Sequence, residues 1–249
     1  MPATQRSSKR GSAGERSSIR AILFDKDGTL VDFDRTWAPA VAAVLGRLAG
    51  GDEALYHALA AASGLVDGAR FLPASPLIGE PTTVFAAPWA KLLGRFADET
   101  FFAEVDRSLR EATTRHLAAI DHPGQVLGAL AQHGFRLGLI TNDAEATARA
   151  HMHKLGLDHL LEFVAGYDSG FGAKPEPRPV LAFAAAMGIA AGEILLVGDT
   201  ALDVETARAA GAHAVLVLSG PKSAGDARLI EPDAVIASIA ALPAWLGVA

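Results

Sequence analysis

Asp25 and Asp27 stand one residue apart, at the end of the apolar run Ala21 to Phe24 and just ahead of Gly28 and Thr29. So short and unbroken an apolar run reads as a strand buried on both faces, the kind found inside parallel sheets. Carboxylates closing such a strand are not packing groups, because an unpaired buried charge costs several kcal/mol or shifts its pKa. Two of them call for a cation, and an all-oxygen donor pair suits Mg²⁺. Asp, Gly and Thr are also ordinary turn residues, so the pair by itself leaves a chance turn open.

Three other clusters bear on that choice. The run Phe135 to Ile140 ends in Thr141-Asn142-Asp143, and the run Ile194 to Val197 ends in Gly198-Asp199-Thr200, with Asp203 four residues past Asp199. Gly172-Ala173-Lys174-Pro175 lies between them, ahead of a helical pattern. One strand end thus offers two acids, another a hydroxyl with turn amides, a third two more acids, and a loop one Lys. Singly, Thr141 and Asp199 read as helix N-caps and Lys174 as a surface charge. Jointly they occupy the places where a parallel sheet builds its site.

The elements that would position them follow from periodicity. From His122 onward the chain alternates: helix 123–133, strand 135–140, helix 144–155, strand 162–165, helix 177–187, strand 194–197, helix 202–210, strand 214–218. A weak strand at 234–236 and a closing helix complete it. Such alternation predicts parallel strands joined by right-handed crossovers, hence an α/β, doubly wound, Rossmann-like sheet. Ligands bind such sheets outside the carboxyl ends of the strands, near a topological switch point. Between the first strand and this series, helical spacing dominates: helices 36–48, 53–62, 83–93 and 98–117, with 66–82 a Pro-containing loop. No strand is expected from Arg35 to Ile120. The division is therefore a tail at 1–18, a core made of 19–34 and 119–249, and a helical insertion at 35–118.

Composition narrows the partners. The net charge is −6, and residues 1–18 carry Arg6, Lys9, Arg10 and Arg16 against Glu15, so the body is more acidic than the whole. An acidic body argues against nucleic acid or an anionic membrane as partner. With no Cys there is no disulfide, thiol nucleophile or Cys-ligated zinc, which fits the cytoplasm. The Ser- and Arg-rich start reads as a disordered tail, since it has neither the apolar stretch of a secretory signal nor an amphipathic stripe. No window reaches the ~18 apolar residues of a membrane span. His151 and His153 are two apart and would face different sides of a helix, so surface histidines are expected and zinc is not. No G-x-G-x-x-G follows a strand, which leaves dinucleotide binding without support.

The set Asp25-Lys26-Asp27-Gly28-Thr29, Thr141-Asn142, Lys174-Pro175 and Gly198-Asp199-x-x-x-Asp203 resembles the four motifs of the haloacid dehalogenase superfamily. The insertion after the first motif, Pro123-Gly124 and Ala209-Ala210-Gly211-Ala212 resemble its phosphoglycolate-phosphatase-like branch, in which the insertion is a cap. Lys26 departs from the pattern, where an apolar residue is commoner; its side chain is expected to point away from the two carboxylates. The resemblance implies an Mg²⁺-dependent phosphatase of small phosphorylated metabolites, with phosphoglycolate the obvious candidate, working as a monomer or homodimer in the cytoplasm. It implies Asp25 as nucleophile and Asp27 as acid and base. It implies Asp25, Asp199 and the Asp27 carbonyl around the metal, and Thr141 with nearby amides, Asn142, Lys174 and Gly28 around the phosphate. Asp203 would support the metal shell or Lys174. A sugar-phosphate mutase keeps the same motifs and remains open, as does a silent phospho-accepting module. A dehalogenase would have no use for Asp27. Arg70 and Arg35 are candidates to meet a second anion of the substrate, although solvated surface positions suit both better.

Overall fold

β1 (Ala21–Phe24) is fully buried, and its alternate residues feed two apolar layers: Ile22 and Phe24 in one, Ala21 and Leu23 in the other. This is a computed structural model, and it describes residues 18–221 and 230–248. The tail expected at 1–18 therefore lies, except for Ser18, outside the described residues.

After β1 the chain leaves the sheet and returns beside itself. The Asp32 amide donates to the Ala118 carbonyl at 2.9 Å and the Ile120 amide to Leu30 at 3.0 Å, with Val31 bridging Ala119. Between these points lie α1 (Phe33–Ala49), α2 (Glu53–Ser63), β2 (Leu65–Val66), β3 (Arg70–Phe71), α3 (Thr82–Phe85), α4 (Ala87–Leu92) and α5 (Glu99–His116). Asp32, Asp52 and Asp98 cap α1, α2 and α5 by accepting the amides of Arg35, Leu55 and Phe101. The apolar stripe Phe101, Val105, Leu109, Ala112 of α5 packs on Trp37, Val41 and Leu45 of α1, in an apolar cluster separate from those of the sheet.

Two expectations for this region are corrected. A small hairpin, β2–β3, lies where no strand was expected and inside the predicted loop. Its turn has φ 51° at Asp67 and 64° at Gly68, with the Ala69 amide bonded to Val66, the mirror-image turn that Asp-Gly favours. Strands of two residues are too short to show alternation. The helix expected at 83–93 is broken into α3 and α4, because Pro88 has no amide to bond the preceding turn and its ring clashes with it. In addition, α1 begins at Phe33 rather than Thr36, set by the Asp32 cap.

The remainder is α6 (Pro123–Gln132), β4 (Arg136–Ile140), α7 (Glu145–Lys154), β5 (Phe163–Ala165), α8 (Arg178–Met187), β6 (Ile194–Gly198), α9 (Ala201–Ala210), β7 (His213–Val217), β8 (Ala234–Ile236) and α10 (Leu242–Leu246). The strand order is β5-β4-β1-β6-β7-β8 and every pair is parallel. β1 is central, and the chain winds outward to β5 on one side before returning to β6 on the other. The switch point is therefore beside β1, at its carboxyl end. Among the described residues no helix is long and apolar enough to cross a membrane.

Candidate active site

The carboxyl ends of β1, β4 and β6 meet over one small cavity of ≈ 50 Å³. Asp25, Asp27, Thr141, Asn142, Lys174 and Asp199 line its sheet side, and Phe33, Trp37, Leu77, Ile78, Gly79 and Phe85 line the side made by the insertion. Residues far apart in the chain thus converge because three parallel strands end together.

Lys174 is the centre of the charge arrangement. Its ammonium donates to Asp25 Oδ1 at 2.5 Å and to Asp203 Oδ1 at 2.6 Å, with all three side chains buried. Asp203 Oδ2 in turn accepts from the Thr200 amide at 3.1 Å and hydroxyl at 2.8 Å, so Asp203 closes the first turn of α9 while holding Lys174. Burial raises the Asp25 pKa to about 7; Lys174 opposes the shift, and Asp203 and Asp27 add to it. Burial also pushes Asp199 well above the ordinary carboxylate range, with Asp25 and Asp203 adding to the effect. Lys174 is driven up by its two acids despite burial, and stays charged.

One cation fits this crowding. Asp25, Asp199 and Asp203 each bring an oxygen within 4.8 Å of the others. Among the described residues Asp199 Oδ1 is buried without a hydrogen-bond partner, a costly state for an acceptor that a hard cation would relieve. Two glycines keep space beside it. A Cβ on Gly28 would fall 2.4 Å from Asp199 Oδ2, and one on Gly220 1.7 Å from the same atom. The donor set and the space therefore suit a small divalent ion.

Several side chains do something other than what was expected of them. The Gly28 amide is bonded to the Val31 carbonyl at 2.7 Å, so what Gly28 offers is its φ of 83° and the room beside Asp199, not an amide for phosphate. Asn142 accepts the Lys174 amide at 2.7 Å through Oδ1 and donates to Gly79 and Lys174 carbonyls through Nδ2. It braces the Lys174 loop and ties the end of β4 to the insertion. Thr141 lies at the cavity, its hydroxyl oxygen accepting the Asp143 amide at 3.1 Å. Lys26 does not point away from both acids: its ammonium is fully buried and sits 2.6 Å from Asp27 Oδ2. His151 is not a surface residue either; it is buried beside Lys26, whereas His153 is exposed and pairs with Asp158. Trp37, whose indole donates to Asp27 Oδ1 at 2.7 Å, was not singled out, because nothing local marks it apart from other core positions of α1.

Arg70 and Arg35 are both exposed and neither lines the cavity among the described residues. Arg70→Ala should accordingly leave kcat/KM for phosphoglycolate and for p-nitrophenyl phosphate within about twofold of the parent, as surface substitutions do. A KM rise confined to phosphoglycolate would place Arg70 on the substrate instead.

Comparison with known proteins agrees with this geometry. The family model for haloacid dehalogenase-like hydrolases matches residues 19–211. The chain is 36% identical over 235 residues to a phosphoglycolate phosphatase of Rhodospirillum rubrum, covering 92% of this chain and 91% of that one. It is 31% identical over 246 residues to the phosphoglycolate phosphatase of Escherichia coli K12, covering 92% and 93%. A solved phosphatase from Thermococcus onnurineus superposes with a TM-score of 0.66 at 26% identity, covering 92% of this chain and 98% of that one. By sequence, sheet order and acid cluster alike, the chain belongs to the haloacid dehalogenase-like hydrolases, in their phosphoglycolate-phosphatase-like branch of phosphatases.

Proposed function

We propose that the protein is an Mg²⁺-dependent hydrolase of small phosphomonoesters that works through a phosphoryl group carried on Asp25. The observation that carries this reading is the joint placement of Asp25, Lys174 and Asp199 over one cavity at the sheet's switch point, with Asp27 facing the same space. Residues 19–34 and the described part of 119–249 form the chemical core, and 35–118 act as a cap that, with Phe33, supplies the apolar wall. Phosphoglycolate, named for the relatives, is the first substrate to try. The cytoplasm, where charged metabolites of this kind are held by the membrane, is the location that suits such an enzyme.

Each residue's part follows from its contacts. Lys174 orients Asp25 by its hydrogen bond and offsets its charge, so the carboxylate meets an anionic phosphoryl group with less repulsion. Asp25 attacks phosphorus in line and displaces the alcohol. Asp27 protonates that alcohol as it leaves, then takes a proton from the water that hydrolyses the acyl phosphate. Thr141 and Lys174 hold the phosphoryl oxygens, and the apolar wall with Phe33 and Phe85 excludes bulk water from the bond being broken. Asp25, Asp199 and the Asp27 carbonyl, with Asp203 in support, would hold Mg²⁺, whose charge would offset that on the transferring group.

The test is phosphate release with Mg²⁺ from phosphoglycolate and p-nitrophenyl phosphate, on the parent and on Asp27→Asn. The variant lacks the proton donor for the first step and the base for the second. p-Nitrophenolate leaves with little help, so the expected record is a burst near one nitrophenol per active site, then a slow steady rate. Acid-quenched enzyme should carry a phosphoryl adduct on the peptide that contains Asp25. An adduct on another peptide would overturn the assignment, and absence of any phosphatase activity in the parent would overturn the function.

A further inference from the structure

Lys26 lies between Asp25 and Asp27 in the chain, yet the proposed reaction gives it no part. Its ammonium is fully buried and has three neighbours: Asp27 Oδ2 at 2.6 Å, Asp143 Oδ2 at 2.9 Å and His151 Nδ1 at 3.3 Å. An ammonium has three N–H donors and no acceptor, so all three neighbours must be acceptors. His151 Nδ1 is therefore unprotonated and its proton is on Nε2, which faces Thr113 Oγ1 at 2.9 Å. The Thr113 hydroxyl donates onward to the Leu109 carbonyl at 2.7 Å. Burial and the adjacent ammonium hold the imidazole neutral, with a pKa pushed down to about 2. An ion pair from Asp27 to Lys26, and hydrogen bonds from Lys26 through His151 to Thr113, thus run to α5 in the insertion.

Asp27 is gripped from both ends. Oδ1 accepts from the Trp37 indole at 2.7 Å, Oδ2 faces Lys26, and the ammonium lies 5.3 Å from the centre of the Trp37 ring. Each carboxylate oxygen has more than one lone pair, so the grip orients the group and still leaves a site for the proton it must carry. Neutralising Asp143 alone would need only the pair Lys26–Asp143. The shorter contact to Asp27 and the bonded link to α5 are what that simpler account leaves over.

We infer that Lys26 is a positioning residue for Asp27, fixing the plane of the carboxylate that gives and takes the proton at the reacting oxygens, with the His151–Thr113 bond anchoring that grip to α5. The inference rests on the proposed role of Asp27. Proton delivery matters most for poor leaving groups, so loss of the grip penalises an alkyl phosphate far more than a nitrophenyl one.

The experiment replaces Lys26→Met together with Asp143→Asn, so that Asp143 is not left charged and buried without its partner while Asp27 loses only the grip of Lys26, and follows both esters beside Asp27→Asn. Expected is a fall in kcat/KM, which reports the step that expels the alcohol and not the hydrolysis common to both esters, of about 30-fold for phosphoglycolate against about threefold for p-nitrophenyl phosphate, below the 10²–10⁴ range of losing the acid–base group itself. Equal falls for the two esters, or none, beside an Asp27→Asn variant that does show the split, overturn this inference alone. No split in Asp27→Asn overturns the reading of Asp27 and this inference with it. Should the double variant not fold, Thr113→Val decides, since it cuts the tie to α5 without touching a charge. It should lower kcat/KM for phosphoglycolate about threefold more than for the nitrophenyl ester, a split that Thr113→Ser does not show, because it keeps the hydroxyl. No split in Thr113→Val overturns the anchoring.

Discussion

Asp25→Asn is expected to turn over no phosphoester, whatever its leaving group, with a loss on the order of 10⁴-fold or more, as when other nucleophiles are removed. An amide is a poor nucleophile, and no better leaving group repairs that. The loss should come without loss of the fold. Burial raises the Asp25 pKa from 3.8 to about 7, so the folded chain holds a proton there that the unfolded chain releases. The sign follows: Asp25 stabilises the fold at low pH and progressively burdens it as pH rises from about 4 to about 7. Replacing the carboxylate with an amide removes that burden. Metal-free Asp25→Asn should therefore melt no lower than the metal-free parent at pH 8. Retained turnover of phosphoglycolate by a folded variant would remove Asp25 from the role of nucleophile.

Metal removal is expected to be equally severe. Excess EDTA should abolish phosphate release and Mg²⁺ restore it, because of three buried acids Lys174 pairs with Asp25 and Asp203, and Asp199 Oδ1 has no hydrogen-bond partner among the described residues. Ca²⁺ should support turnover poorly, since its larger and more flexible coordination holds the in-line geometry less well. Stability gives a second readout that does not depend on catalysis. Asp25 and Asp199 both have raised pKa values, so the metal-free protein should lose thermal stability as pH rises from about 4 to about 7, the span of the Asp25 shift, with Asp199 acting in the same direction. Mg²⁺ favours the ionised acids and should flatten that loss, and Asp199→Asn should weaken the Mg²⁺ effect on the melting temperature. Full activity after rigorous chelation would rule out a metal role for the acid cluster.

How the proposed parts divide between sequence and structure follows from the range of each interaction. The strands that carry the site were legible because β1, β4 and β6 are apolar runs that stop abruptly at Asp25, Thr141 and Asp199. Parallel strands put such stops at one edge, so Asp25, Thr141, Lys174 and Asp199 were found together without knowledge of their distances. The helical nature of 35–118 was legible from spacing, while β2–β3 was hidden because two-residue strands have no period to read. What each side chain bonds to was decided only in three dimensions. Gly28 turned out to give room to Asp199 because the Val31 carbonyl, brought back by the turn, takes its amide. Asn142 became a brace because the Lys174 loop and Gly79 fold against it. Lys26 and His151 are 125 residues apart, and each on its own reads as an ordinary polar residue of a turn or a helix. Local pattern carries the direction of a strand and the face of a helix, but the partner of a buried charge is chosen by whichever chain the fold brings to it.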